Sequence, residues 1–213
     1  MRNYIAIEGP IGVGKTTLVR SFQQERKAQV ILDDIENPFL SDFYKDRPNS
    51  AFRAQMYYLI SRFVQQSEVD TMWKNSSLLV CDYLFVKDKI FAYLNLDDQE
   101  IVIYDRYFAT LGRLIRNPDL VVYLKAPLDV LLKRVSRRNV DYEAQISEAY
   151  VEELIKAYDH FFYHYKDTPL LIVDTAEIDF AENAEDRRAL MDRIAAGNIR
   201  GVQYYHPIRK RPK

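Results

Sequence analysis

The sequence predicts an α/β chain folded as a three-layer sandwich, with a parallel β-sheet flanked by helices. Three observations carry that expectation. Short runs at residues 5–7, 30–32, 78–81, 120–124 and 170–173 are continuously apolar, as strands covered on both faces must be. Helical patterns at 15–26, 51–75, 84–94, 98–115, 128–137 and 147–166 fall between them, and strand–helix alternation of this kind builds right-handed crossovers. A glycine-rich loop at residues 9–17 joins the first strand to the first helix.

That loop reads Gly-Pro-Ile-Gly-Val-Gly-Lys-Thr-Thr. Gly9, Gly14, Lys15 and Thr16 satisfy G-x-x-x-x-G-K-[ST], and Gly12 is an extra glycine. Glycines let the backbone curl until successive N–H groups point inward at phosphate oxygens. The lysine adds charge at the β/γ-phosphates, and the threonine hydroxyl can ligate Mg²⁺. The dipole of the helix that follows favours anions at its N-terminus. A fortuitous glycine turn would need neither the strand before it nor the helix after it. With both present, Gly9, Gly12, Val13, Gly14, Lys15, Thr16 and Thr17 are read as binding a nucleoside triphosphate in a P-loop NTPase fold.

The remaining elements place acids where ligands of an open parallel sheet bind, beyond the carboxyl ends of the strands. Asp33 and Asp34 follow the second apolar run, Asp82 and Tyr83 the third, and Lys125 begins the stretch after the fourth. Two acidic positions suit phosphoryl transfer, one handling an acceptor hydroxyl and one near Mg²⁺. A turn aspartate is the structural alternative for Asp33. Pro118 and Pro127 bracket the fourth run as breakers.

Composition bounds the rest. The 213 residues suit one domain, 1–213, with a basic tail from about residue 207 that reads as a solvated end. A net charge of −1 argues against a dedicated nucleic-acid surface. Cys81 is the single cysteine, which excludes an internal disulfide and a cysteine-based zinc site and fits a reducing cytosol. His160 and His164 lie four apart, but Phe161, Phe162 and Tyr163 between them point to packing rather than metal binding. No secretory leader and no membrane-length apolar run is visible, so a cytoplasmic location is expected. The 16 tyrosines and 11 phenylalanines supply core and candidates for base stacking.

Four segments together resemble the bacterial deoxynucleoside kinases, which include deoxyadenosine and deoxyguanosine kinases. They are Glu8-Gly-Pro-Ile-Gly-Val-Gly-Lys-Thr-Thr17, Glu36-Asn-Pro-Phe-Leu40 with Phe43-Tyr44, Asp82-Tyr-Leu-Phe-Val-Lys-Asp-Lys-Ile-Phe-Ala92 and Pro118-Asp-Leu-Val-Val-Tyr-Leu124. The likeness runs over residues 3–182. Many NTPases share the phosphate loop; the Asn-Pro-Phe-Leu and Asp-Tyr-(x)₄-Asp-(x)₃-Ala segments narrow the field.

The resemblance implies transfer of the ATP γ-phosphoryl group to the 5′-hydroxyl of a deoxynucleoside. It implies Asp33 as general base, with Lys15 and Arg138 balancing phosphate charge, and Thr16 and Asp82 holding Mg²⁺. Tyr44 and Glu143 match residues at the sugar 3′-hydroxyl; Gln55, Arg62 and Asp88 match residues around the base. Lys133, Arg134, Arg137 and Arg138 match an arginine-bearing lid, Arg134 contributing to the nucleotide site. The family pattern also implies a homodimer built on the long helices. A purine is the preferred base, because Asp88 and Gln55 could present an acceptor and a donor to its edge. Gln55 and Arg62 are seven apart and share a helix face, although Arg62 could equally serve a structural ion pair. Arg134, Arg137 and Arg138 could also be the solvated end of a helix.

Three departures stand out. The family base is usually glutamate followed by proline, whereas this chain has Asp33-Asp34. The lid pattern Arg-Gly-Arg is here Arg138-Asn139-Val140, without its second arginine. The residue after Asp82, arginine in many animal relatives, is Tyr83. Two alternatives follow: a nucleotide-binding subunit or regulator that has lost the reaction, and a nucleoside-monophosphate kinase, which would need a second cation cluster.

Overall fold

In the computed structural model, which describes residues 3–45, 47–138 and 147–207, strands and helices alternate along the chain. β1 (Asn3–Glu8) leads through the glycine loop to α1 (Lys15–Arg26) and β2 (Gln29–Ile31). Then come α2 (Leu40–Tyr44), α3 (Ser50–Ser67), α4 (Val69–Lys74) and β3 (Leu78–Cys81). α5 (Lys87–Asn95) and α6 (Asp98–Gly112) precede β4 (Leu120–Lys125). α7 (Leu128–Arg138), α8 (Glu148–His164), β5 (Leu170–Asp174), α9 (Ala184–Ala195) and β6 (Val202–Tyr205) complete the order.

The strands form one sheet, β2-β3-β1-β4-β5-β6, with every neighbouring pair parallel. Ile5 of β1 pairs with Val80 of β3 on one side and Leu120 of β4 on the other. Period-two alternation splits the apolar runs between two faces. Ile5, Ile7, Val122, Leu124, Leu171 and Val173 pack with Leu18 and Phe22 of α1 and Leu190 and Met191 of α9. Ala6, Val121, Tyr123, Leu170 and Ile172 pack with Leu154, Tyr158 and Phe162 of α8. Both faces are covered, so the runs had to be apolar throughout, and the expected three-layer α/β sandwich is observed.

Three details differ from the sequence reading. The helical stretch 51–75 is two helices, because the Glu68 N–H bonds back to the Gln65 carbonyl (3.3 Å) and the chain turns to bury Val69 among Tyr4, Leu79, Cys81 and Tyr83. α9 was not expected: its apolar contribution is limited to a few residues such as Leu190, Met191 and Ile194, and the Asn183 side chain caps its first turn. β6 was missed because it lies at the sheet edge with Val202 and Tyr204 exposed, so no continuous apolar run marks it.

Candidate functional site

The strand order reverses about β1, where ligand crevices of open α/β sheets form, and the glycine loop leaves β1 there. Glu8, the last residue of β1, is fully buried; its carboxylate accepts from the N–H groups of Gly9 (2.8 Å) and Leu84 (2.9 Å) and from the Tyr158 hydroxyl (3.0 Å). One buried acid therefore ties the start of the loop to the turn after β3 and to α8. At Gly9, a Cβ would lie 2.4 Å from the Leu124 carbonyl oxygen of β4, so the loop can pass the sheet only as glycine. Gly14 has φ +102°, and a Cβ there would sit 2.7 Å from the Phe180 ring.

Lys15 arches back over this loop, donating to the carbonyls of Gly9 (2.7 Å) and Pro10 (3.2 Å). Burial, then the positive charge of Lys87, pull its ammonium down to about 8, against Glu8, Asp82 and Asp33. Thr16 donates its hydroxyl to Asp82 Oδ2 (2.7 Å), and Asp82 Oδ1 accepts from the Asp33 N–H (2.6 Å). Burial raises the Asp82 carboxyl, although both hydrogen bonds oppose it. The hydroxyl and carboxylate oxygens meeting here are the hard donors Mg²⁺ takes. Among the described residues no group of three or more His, Cys, Asp or Glu could hold a metal, so phosphate and water oxygens would have to complete its shell.

A cavity of about 560 Å³ opens over the loop, lined by Gly12, Val13, Gly14, Lys15, Thr16 and Thr17, with Arg134 and Arg137 from α7 and Phe180 beyond β5. Arg134 is locked by donating to the Thr175 hydroxyl (3.1 Å) and to the carbonyls of Thr175 (3.0 Å) and Ile178 (3.2 Å). Burial lowers its pKa. It is an anchored member of this cavity rather than a solvated helix end.

A second cavity, about 240 Å³, lies across Ile11, which lines both. Its walls come from distant parts of the chain: Asp33, Tyr44 of α2, Gln55, Tyr58 and Arg62 of α3, Lys87 and Phe91 of α5, and Tyr150 and Leu154 of α8. Asp33 accepts from Arg62 Nε on Oδ1 (2.9 Å) and from Arg62 (3.0 Å) and Lys87 Nζ (2.7 Å) on Oδ2. The same guanidinium reaches Asp88 Oδ1 with its other nitrogen and lies over the Tyr58 ring, 4.7 Å from its centroid. Burial alone would raise the Asp33 carboxyl, but Lys87 and Arg62 more than reverse it and hold it well below the usual carboxylate range. Burial dominates at Asp88 and lifts its carboxyl to about 6, in spite of Arg62.

Tyr44, Gln55, Arg62 and Asp33, to which the sequence reading gave separate roles, line one cavity. Asp88 stands behind its wall: Gln55 Nε2 donates to the Asp88 carbonyl (3.0 Å) and Oδ1 (3.3 Å). Its Oδ2 is buried without a hydrogen-bond partner among the described residues. Arg138 is the last residue of α7, and Glu143 lies outside the described residues. Among the residues of the site that were given no role in the sequence reading are the charged Glu8 and Lys87. Each follows a run of three apolar residues, 5–7 and 84–86, a signal that could have pointed to a buried charge.

A model of the deoxynucleoside kinase family matches residues 5–199. The chain is 32% identical over 199 residues to a deoxyguanosine kinase of Bacillus subtilis (strain 168), covering 91% of this chain and 94% of that protein. It is 36% identical over 164 residues to a deoxyadenosine kinase of Dictyostelium discoideum, covering 74% and 66%. The solved structure of deoxyadenosine kinase from M. mycoides with bound dATP matches with a TM-score of 0.73 at 26% identity, covering 90% of this chain and 98% of that one. With the two adjoining cavities and a family match over most of its length, the chain belongs to the deoxynucleoside kinase family.

Proposed function

We propose that this protein transfers the γ-phosphoryl group of ATP to the 5′-hydroxyl of a purine deoxynucleoside. The observation that carries the reading is the junction at Asp82. Its carboxylate binds Thr16 of the phosphate loop through one oxygen and the Asp33 backbone of the acceptor cavity through the other. Such a link sets the spacing between donor and acceptor, and positioning is most of what phosphoryl transfer asks of a protein. The names of the relatives, a deoxyguanosine and a deoxyadenosine kinase, support a purine acceptor.

Asp33 is the proposed base. Its Oδ1 takes one hydrogen bond among the described residues, and a carboxylate oxygen can accept two, which leaves a lone pair for the acceptor hydroxyl. The low proton affinity of Asp33 is tolerable, because the hydroxyl becomes acidic as its oxygen bonds to phosphorus. Gln55 and Arg62, oriented by Asp88, would face the base, and Tyr44 the sugar. Lys15, Arg134 and Arg138 supply cations for the phosphates. Mg²⁺ would be held by Thr16 and Asp82, where it would neutralise phosphate charge.

Ile60 and Val64 of α3 and Ile103 and Tyr107 of α6 form exposed apolar rows on adjacent helices, which supports a homodimer through this face. No described helix is long and apolar enough to cross a membrane, and a cytoplasmic enzyme is the proposed setting. The decisive assay combines purified protein, ATP, Mg²⁺ and each of the four deoxynucleosides. Formation of a 5′-monophosphate from deoxyguanosine or deoxyadenosine is expected. Calorimetric ATP binding with no product from any of the four would instead favour a nucleotide-binding protein that has lost the reaction.

A further inference from the structure

We infer that Lys87 is a catalytic cation that binds the transferred phosphoryl group from the acceptor side, a role that rests on the phosphotransfer reading above. The turn after β3 delivers it. Lys87 N–H donates to the Leu84 carbonyl (2.8 Å), while Leu84 N–H is pinned by Glu8, the residue that also fixes the start of the phosphate loop. The side chain is 8% exposed and lines the acceptor cavity. An ammonium has three donors, and Asp33 Oδ2 is its one hydrogen-bond partner among the described residues. Lys15 feels the charge of Lys87 directly. Lys15 lines the donor cavity and Lys87 the acceptor cavity, and the two cavities share Ile11, so the two ammonium groups flank that boundary, one on each side of the path the phosphoryl group would take.

A structural counter-ion is the competing explanation, and it covers part of the geometry: Arg62 is shared between Asp33 and Asp88, so Lys87 balances the second carboxylate. That role uses one of the three ammonium donors and does not account for the side chain's place on the wall of the acceptor cavity. Nor does the residue after Asp82 provide a cation: Tyr83 carries none and donates its hydroxyl to Gln65 Oε1 (2.8 Å).

In the reaction the bond from the γ-phosphorus to the β–γ bridging oxygen breaks, its electron pair leaving with ADP. The 5′-oxygen bonds to phosphorus, and its proton passes to the Asp33 carboxylate. Protonation neutralises the partner that holds Lys87, and the hydrogen bonds of the ammonium pass to the oxygens of the new phosphate ester. Lys87 therefore follows the charge from Asp33 to product.

Calorimetry of Lys87→Met with deoxyguanosine, deoxyadenosine and their 5′-monophosphates tests this, alongside steady-state kinetics. The expected result is at least a ~10-fold loss of monophosphate affinity, nucleoside affinity within about threefold of wild type, and kcat lower by about 10²-fold. Lys87→Gln, which can still donate to Asp33, must show the same selective loss, and it provides the reading if the methionine variant does not fold. An unchanged ratio of monophosphate to nucleoside affinity in an active background would overturn the proposal alone. So would a Lys87→Met change that costs nothing further once Asp33 is asparagine. A wild type that phosphorylates none of the four deoxynucleosides overturns the phosphotransfer reading, and this proposal with it.

Discussion

The donor loop and the acceptor cavity meet at Ile11, yet they are built by opposite means. The donor side is a continuous segment whose shape comes from backbone: glycines where a Cβ would collide, and a lysine whose hydrogen bonds, among the described residues, go to loop carbonyls. The acceptor side is a ring of charged side chains drawn from β2's end, α3 and α5, holding one another in place. The contrast teaches where function and stability are separable. Removing a group bonded to neutral loop carbonyls leaves no buried charge unpaired, whereas removing one member of a buried ion cluster does.

Lys15→Met should show the largest and cleanest loss. Its two carbonyl partners lie in the loop, so the melting temperature should stay near that of wild type while kcat falls by about 10³-fold. A melting temperature that falls in step with activity would mean the donor side is as interlocked as the acceptor side.

Arg62→Ala should fail in the opposite manner. It leaves Asp33 with Lys87 alone, and Asp88 with no cation among its hydrogen-bond partners, inside the protein. Removing one partner of a buried pair costs about 3–5 kcal/mol. Stability and nucleoside affinity should fall together, and denaturant unfolding read beside nucleoside binding checks this. If Arg62→Ala lost nucleoside affinity at unchanged stability, the cluster would not be the shared scaffold described here.

The same contrast explains what could be read from the sequence. The donor loop was legible because its chemistry is local: nine consecutive residues, 9–17, contain the whole pattern. The sheet was legible because burial on both faces demands unbroken apolar runs. Arg62 was not decidable between an ion pair and a base contact, since its partner Asp33 is 29 positions away, and the structure gives it the ion pairs while placing it on the cavity wall. Whether Asp33 is more than a turn aspartate likewise depended on long-range partners, and it engages Asp82, Arg62 and Lys87. The break at Glu68 is set by where Val69 finds a core, which no helical periodicity reveals.

The smallest effect expected, and the one that separates the two ends of the acceptor cluster, concerns Asp88. Burial lifts its carboxyl to about 6, above the ordinary aspartate value of roughly 4. The folded state therefore holds a proton more tightly than the unfolded chain across the window from about 4 to 6, and this group makes stability decline as pH rises through that window. Asp33, held well below its ordinary value, acts in the other direction: its contribution is present above about 4 and is lost as pH falls below that. Only Asp88, then, titrates near neutrality within this cluster. Once ionised, it holds Arg62 and Gln55, the two side chains that line the cavity in front of it, through a full negative charge. Nucleoside affinity should rise about fivefold between pH 5 and 7 in the wild type, and Asp88→Asn should flatten the profile. An asparagine variant that keeps the full pH dependence would place the titrating group elsewhere and free Asp88 from any part in reading the base.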